Sequence, residues 1–215
     1  MNEIIEKHRR FLPHLQLKYQ IIFLTWKLAF HLPQELLRKI RELQYIQEKM
    51  EEQKTGSIGN IYQLYLKKME GLDIFLAKID VSDINLTNPE IGDMIKNTFI
   101  FYDEKLYKLH CFCIMSNHIH LLVQPLIDDN GKFYKISTIV QRIKTYTAKN
   151  INMILNRNGK VWDDDYFDRY IRNDKDYYNV INYILNNPVK AGLSEQIENW
   201  QFSYYKPINI FFEDF

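Results

Sequence analysis

The chain has 215 residues, 46% of them apolar, and a formal net charge of +1. This length and composition exclude bulk disorder and allow one hydrophobic core, and the near-neutral balance excludes a polycation that holds nucleic acid by charge alone. No apolar run is long enough to cross a bilayer and Met1–Arg10 is charged rather than signal-like, so the expected compartment is the cytoplasm, with no membrane partner.

In chain order, Leu17–Trp26 is β-rich and predicts a strand. Gln34–Glu52 has helical period, with Leu36, Leu37, Ile40 and Leu43 in its apolar stripe, and Ile61–Ile79 holds a further helix weakened by Gly71. Asn88–Pro89 fits an N-cap with proline at the first helical position, opening a helix to about Phe101. Leu106–Met115 and His118–Gln124 then predict an antiparallel strand pair. The two cysteines, Cys111 and Cys113, share a face with Met115 and are expected as buried thiols, because a disulfide between i and i+2 of one strand is geometrically awkward. Ile136–Leu155 is the clearest amphipathic helix, closed by Asn158–Gly159. The end of Val161–Ile171 fits a strand, and Asp174–Leu185 a helix stopped at Asn186-Asn187-Pro188. The aromatic tail from Trp200 is expected to pack back. Helices interspersed with an antiparallel strand pair predict an α+β sandwich. We expect one domain over 1–215, with a helical insertion at about 34–101 and a tail at about 194–215.

Ile114–Val123 carries the most chemistry. In a strand His118 and His120 stand on one face, while Ile119, Leu121 and Val123 point to the other. Two adjacent imidazoles need polar partners, so they are a poor core face and a good start to a metal site. On the helix from Ile136, Tyr146 and Asn150 are one turn apart: a phenolic oxygen that can attack phosphorus and an amide oxygen for a divalent ion. Between Gly131 and Trp162 there are seven basic residues (Lys132, Lys135, Arg142, Lys144, Lys149, Arg157 and Lys160) and no acidic one. Such a stretch is either a phosphate-attracting field or a solvated basic helix balanced by Asp163-Asp164-Asp165. By the residues alone the arrangement fits a metal-dependent phosphoryl-transfer enzyme, or else packed histidines beside a solvated helix.

Met115-Ser116-Asn117-His118-Ile119-His120-Leu121-Leu122 resembles the Met-Pro-Asn-His-x-His-Leu-Leu signature of the IS200-like transposases, single-tyrosine members of the His-hydrophobic-His nucleases. Ile143–Asn152, Val161-Trp162, Tyr166–Arg172, Tyr183–Leu193 and the early Ile22–Leu28 resemble the branch associated with repetitive extragenic palindromes (REP). Ser116 departs from the usual proline, and Trp26-Lys27 stands where Phe-Arg is more common. The resemblance implies a ferredoxin-like βαββαβ sandwich with an antiparallel sheet and additional helices. It implies Tyr146 as nucleophile and His118, His120 and Asn150 as ligands of Mg²⁺ or Mn²⁺. The implied chemistry is cleavage and joining of single-stranded DNA at hairpin-flanked sites through a 5′-phosphotyrosine, by a monomer or homodimer. Lys132, Lys135, Arg142, Lys144, Arg157, Lys160, Arg169 and Arg172 are the expected DNA contacts, with Trp162, Tyr166 or Phe167 stacking on bases. Two other readings are a catalytically silent DNA-binding repressor on a transposase fold and a metal phosphodiesterase that activates water.

Overall fold

A computed structural model describes residues 4–9, 13–30 and 83–207, together with Gln34, Arg38, Arg41, Glu42, Tyr45, Ile46, Gly71, Asp73 and Leu76. Most of the two helices expected between 34 and 79 therefore lies outside the described residues, as does the tail beyond 207; the nine isolated positions are all helical. Among the described residues no helix is long and apolar enough to cross a membrane.

β1 (Ile4–Arg9) and β2 (Pro13–Leu17) form a separate antiparallel ribbon. The main sheet contains β3 (Ile22–Lys27), β4 (Tyr107–Ile114), β5 (His118–Pro125), β6 (Phe167–Tyr170) and β7 (Ser203–Tyr205). Its order is β6-β3-β5-β4-β7, and every neighbouring pair is antiparallel. With helices α1 (Pro89–Tyr102), α2 (Ile136–Ile154) and α3 (Asp174–Lys190), the run β3-α1-β4-β5-α2-β6 gives the ferredoxin-like βαββαβ arrangement. α1 is thus part of the core, although the sequence placed it inside a helical insertion. The tail does pack back: β7 extends the sheet beside β4, and Tyr204 stacks on Phe112.

Alternation along the strands builds two cores. Ile22, Leu24, Trp26, Ile119, Leu121 and Val123 face α1 and α2, meeting Ile91, Ile95 and Phe99 of the first and Ile139 and Ile143 of the second. Phe23, Leu122, Cys111, Cys113 and Met115 face α3, meeting Tyr177, Val180, Ile181 and Ile184. Both cysteines are buried and free, as expected. Helices therefore cover both faces of the sheet. Strict alternation would also put Leu109 with Cys111. A β-bulge between them turns the strand by one residue, so Leu109 lies in the first core and Cys111 in the second.

The helix ends show how the pieces are joined. Asn88 caps α1 as expected, its side chain accepting from Glu90 N at 3.0 Å. α2 has no cap of its own; the β1–β2 ribbon supplies one. Gln16 Oε1 accepts from Ile136 N at 2.8 Å, and the Glu6 carboxylate accepts from Ser137 N and Oγ at 3.3 and 2.6 Å. α3 runs through Pro188 rather than stopping there. Proline this close to the C-terminus forfeits only one backbone bond, and Pro188 is buried. In α1, a Cβ on Gly92 would lie 2.3 Å from Phe202 Cε1. Gly92→Ala is therefore expected to destabilise the fold by about 1–3 kcal/mol through overpacking, against a helix-propensity gain of about 1 kcal/mol. A urea midpoint at or above that of the wild type would contradict this packing.

His14 ties the ribbon to the loop before β6. Its Nδ1 meets Asp168 Oδ1 at 2.6 Å, its Nε2 meets Asp165 Oδ1 at 2.9 Å, and its ring lies 4.3 Å from that of Tyr166. Burial opposes the charge on His14, but the hydrogen bonds it donates to Asp165 and then Asp168 outweigh it and raise the pKa to about 9. A raised folded pKa stabilises fully below the ordinary value of 6.5, and the gain is lost as pH rises through about 9. The stability advantage of wild type over His14→Gln should accordingly shrink across that window in urea titrations. A difference independent of pH would show that the imidazolium is not the linking species.

Candidate metal and nucleophile site

β5 is the middle strand of the sheet, so His118 and His120 are held on both sides. Thr25 and Cys113 are the register partners of His120, and Lys27 that of His118. The two rings share the face toward α3, with centroids 5.0 Å apart. Each ring is oriented through its Nδ1. That of His118 donates to Asn117 Oδ1 at 2.8 Å, and that of His120 lies 2.8 Å from Thr25 Oγ1. Both Nε2 atoms are thereby turned toward a third residue, Asp73.

His118 Nε2 lies 3.7 Å from Asp73 Oδ1, and His120 Nε2 lies 3.2 Å from Asp73 Oδ2. One ligand atom from each of the three falls within 4.8 Å of the others, and all three side chains are buried. Both Nε2 atoms and Asp73 Oδ1 lack a hydrogen-bond partner among the described residues. Converging orphaned donors of this kind fit a divalent cation, which would satisfy all of them at once. Burial above all holds the His118 pKa down at about 3; His120 adds to the depression and Asp73 opposes it. The ring is thus the neutral form that metal ligation needs.

Tyr183 of α3 completes the group. Its hydroxyl donates to Asp73 Oδ2, and its ring lies 5.6 Å from that of His120. Asn187, one turn on, is buried and donates from Nδ2 to the Tyr183 carbonyl at 3.2 Å. The phenol, the imidazole pair and a carboxylate therefore meet in one buried pocket, the components of a metal-assisted attack on phosphorus.

The sequence-predicted pair Tyr146 and Asn150 does not reach this pocket. Ile139 and Ile143 dock α2 on the sheet face opposite the histidines. Tyr146 is 50% exposed there, in a groove against Met94, Thr98 and Tyr102 of α1, and Asn150 bonds back to the Tyr146 carbonyl. α3 carries the same spacing, Tyr183-x-x-x-Asn187, on the face toward the histidines. In the sequence this spacing lies within Tyr183–Leu193, where Asn186-Asn187-Pro188 also fits a helix stop. Both histidines have 0% exposure.

The predicted DNA contacts divide. Lys132, Lys135, Arg142 and Lys160 are exposed, with Arg157 and Arg172 half-buried. Lys160 pairs with Asp164 at 2.7 Å. Lys144 donates to the carbonyls of Asp163 and Asp165 at 3.0 and 2.8 Å, fixing that loop. Arg169 is buried in a two-pronged pair with Asp176, at 2.8 and 2.9 Å, so it is structural. Trp162 is buried and donates to Thr147 Oγ1 at 2.9 Å, and Tyr166 is buried against His14. Neither ring is available to a base.

Comparison with known proteins finds one matching family and several similar proteins. Residues 85–187 match the family described as "Transposase IS200 like". It is similar to the putative REP-associated tyrosine transposase of Haemophilus influenzae, 36% identical over 98 residues, covering 43% of this chain and 56% of the relative. It is also similar to the REP-associated tyrosine transposase of Escherichia coli K12, 40% identical over 102 residues, covering 47% and 56%. The chain thus spans about half the length of these relatives. A solved REP-associated tyrosine transposase bound to a REP hairpin aligns over 92% of this chain and 81% of its own, with 18% identity and a TM-score of 0.46.

Proposed function

We propose that the protein is a metal-dependent enzyme that nicks and joins single-stranded DNA at hairpin-flanked sites, with Tyr183 as nucleophile. The observation that carries this reading is the Tyr183 hydroxyl on Asp73, beside the orphaned Nε2 atoms of His118 and His120. Tyr183 Oη would pass its proton to Asp73 Oδ2 as it attacks the scissile phosphorus. The new Oη–P bond leaves the protein on the 5′ side, the P–O3′ bond breaks, and the departing oxygen takes a proton to become a 3′-hydroxyl. Attack by a 3′-hydroxyl on the phosphotyrosine reverses the step and joins strands. His118 and His120 would hold Mg²⁺ or Mn²⁺, with the imidazole pair favouring Mn²⁺ in intrinsic affinity. Such an ion offsets charge developing on the phosphate oxygens. Lys132, Lys135 and Arg142 are exposed and free to meet backbone phosphate on and just before α2, across the sheet from the histidines. The relatives' names support a REP hairpin as the DNA element, and an enzyme acting on cellular DNA would work in the cytoplasm.

The complete burial of the histidines favours a second reading, a DNA-binding repressor that keeps the transposase fold. One experiment separates the two. Labelled single-stranded hairpin DNA with an unpaired flank is incubated with the protein and Mn²⁺, then run under denaturing conditions beside plain duplex. The enzyme reading expects a covalent protein–DNA band that needs the metal and is weak or absent with duplex. Specific binding without cleavage or adduct would assign the chain to the repressor class.

A further inference from the structure

We infer that Thr25 is a positioning residue for this site: its hydroxyl accepts the Nδ1 proton of His120 and so leaves the Nε2 lone pair of that ring free for a metal ion. Thr25 lies on β3, outside the 85–187 stretch that matches the transposase family. The inference deepens the proposed function and rests on it.

A neutral imidazole carries one proton on either of two nitrogens, and it ligates through Nε2 only when that proton sits on Nδ1. The two rings meet this demand by unequal means. His118 Nδ1 lies 2.8 Å from Asn117 Oδ1, an amide oxygen that can only accept. The nitrogen of the same amide donates to the Leu76 carbonyl at 2.6 Å, so the oxygen is the atom turned toward the ring. The His118 proton is thereby held on Nδ1. His120 Nδ1 instead lies 2.8 Å from Thr25 Oγ1, a hydroxyl that can accept or donate. Donation by the hydroxyl would move the imidazole proton to Nε2, and the lone pair would be lost to a metal. His120 Nε2 makes no hydrogen bond among the described residues, which favours the form with the proton on Nδ1. Both forms are neutral, so the hydroxyl sets where one proton sits and not the charge. The ring itself is held by its neighbours: Phe23 stacks on it at 5.7 Å and Tyr183 meets it edge-on at 5.6 Å. Thr25 stands opposite His120 in the pairing of β3 with β5, so the register fixes the place of the hydroxyl. His118 is thus the fixed ligand and His120 the adjustable one, and Thr25 is the residue that adjusts it.

The test compares two variants of the full chain. Thr25→Val removes the hydroxyl but keeps the branched shape and the strand preference, and Thr25→Ser keeps the hydroxyl. The metal-free proteins, labelled with ¹⁵N in their histidines, are read by nuclear magnetic resonance, which tells the two tautomers apart. Wild type and Thr25→Ser should carry the His120 proton on Nδ1, and Thr25→Val should move it to Nε2 in a large share of molecules. His118 should keep its proton on Nδ1 in all three. In isothermal titration with Mn²⁺ alone, Thr25→Val should bind at least about tenfold more weakly than wild type and Thr25→Ser within about twofold. Thr25→Ala takes the place of Thr25→Val should the valine variant lose its melting transition. An unmoved His120 tautomer or an unchanged Mn²⁺ affinity in the variant without the hydroxyl would overturn the inference. So would an equal loss in Thr25→Ser. If wild type binds Mn²⁺ and either of these holds, the inference alone fails; if wild type binds no Mn²⁺, the underlying reading fails with it.

Discussion

Replacing Tyr183 by phenylalanine should lower formation of the covalent DNA adduct at least about 10³-fold, because in the proposed mechanism its hydroxyl is the attacking oxygen. Tyr146→Phe should stay within about twofold of wild type, since that ring lies across the sheet from the histidines. The comparison is made by single-turnover assay on hairpin DNA with saturating Mn²⁺. Tyr183→Phe also removes the hydrogen bond to Asp73 and leaves a buried carboxylate oxygen unsatisfied, at a cost of about 1–3 kcal/mol. Circular dichroism must therefore show a folded variant before its rate is read. An active Tyr183→Phe would remove Tyr183 from the mechanism.

The second large effect is on stability. Arg169 and Asp176 form a buried pair, and Asp176 also accepts from Arg172 N at 3.1 Å, so it helps to start α3. Arg169→Met strips Asp176 of its counter-charge and should destabilise the protein by about 3–5 kcal/mol. Adding Asp176→Leu should recover part of that loss, because the uncompensated charge is then gone. Since α3 carries Tyr183, a partly unfolded Arg169→Met should also lose adduct formation, without any direct role for Arg169 on DNA. Equilibrium urea unfolding checks both variants. A loss below about 1 kcal/mol in Arg169→Met would return Arg169 to the surface and reopen its role as a phosphate contact.

What the sequence made legible was local. The Asn88–Pro89 start of α1 and the facing of His118 and His120 depend on residues within a few positions of each other, and both are found as expected. The bulge at Leu109–Cys111 leaves no such mark, because it answers to the partner strand. The choice between two tyrosines is decided by which sheet face each helix covers. α2 and α3 are both amphipathic and both carry Tyr-x-x-x-Asn, so periodicity does not separate them. Pro188 fits a helix stop in the sequence, whereas α3 runs through it to Lys190 and so carries Asn187. Asp73 was harder still. A single carboxylate 45 positions before His118 carries no motif, and only the tertiary fold brings it to the imidazoles.

The central claim is that the oxygen of Tyr183 attacks the phosphodiester. It is tested most directly by mapping the adduct. Wild-type protein is reacted with a 5′-defined hairpin oligonucleotide and Mn²⁺, denatured, digested with trypsin and nuclease, and sequenced by mass spectrometry. The predicted product is a nucleotide phosphate on Tyr183, within the peptide that spans Asp176–Lys190. A nucleotide on Tyr146, in the peptide Thr145–Lys149, or cut DNA with no covalent residue at all would contradict it.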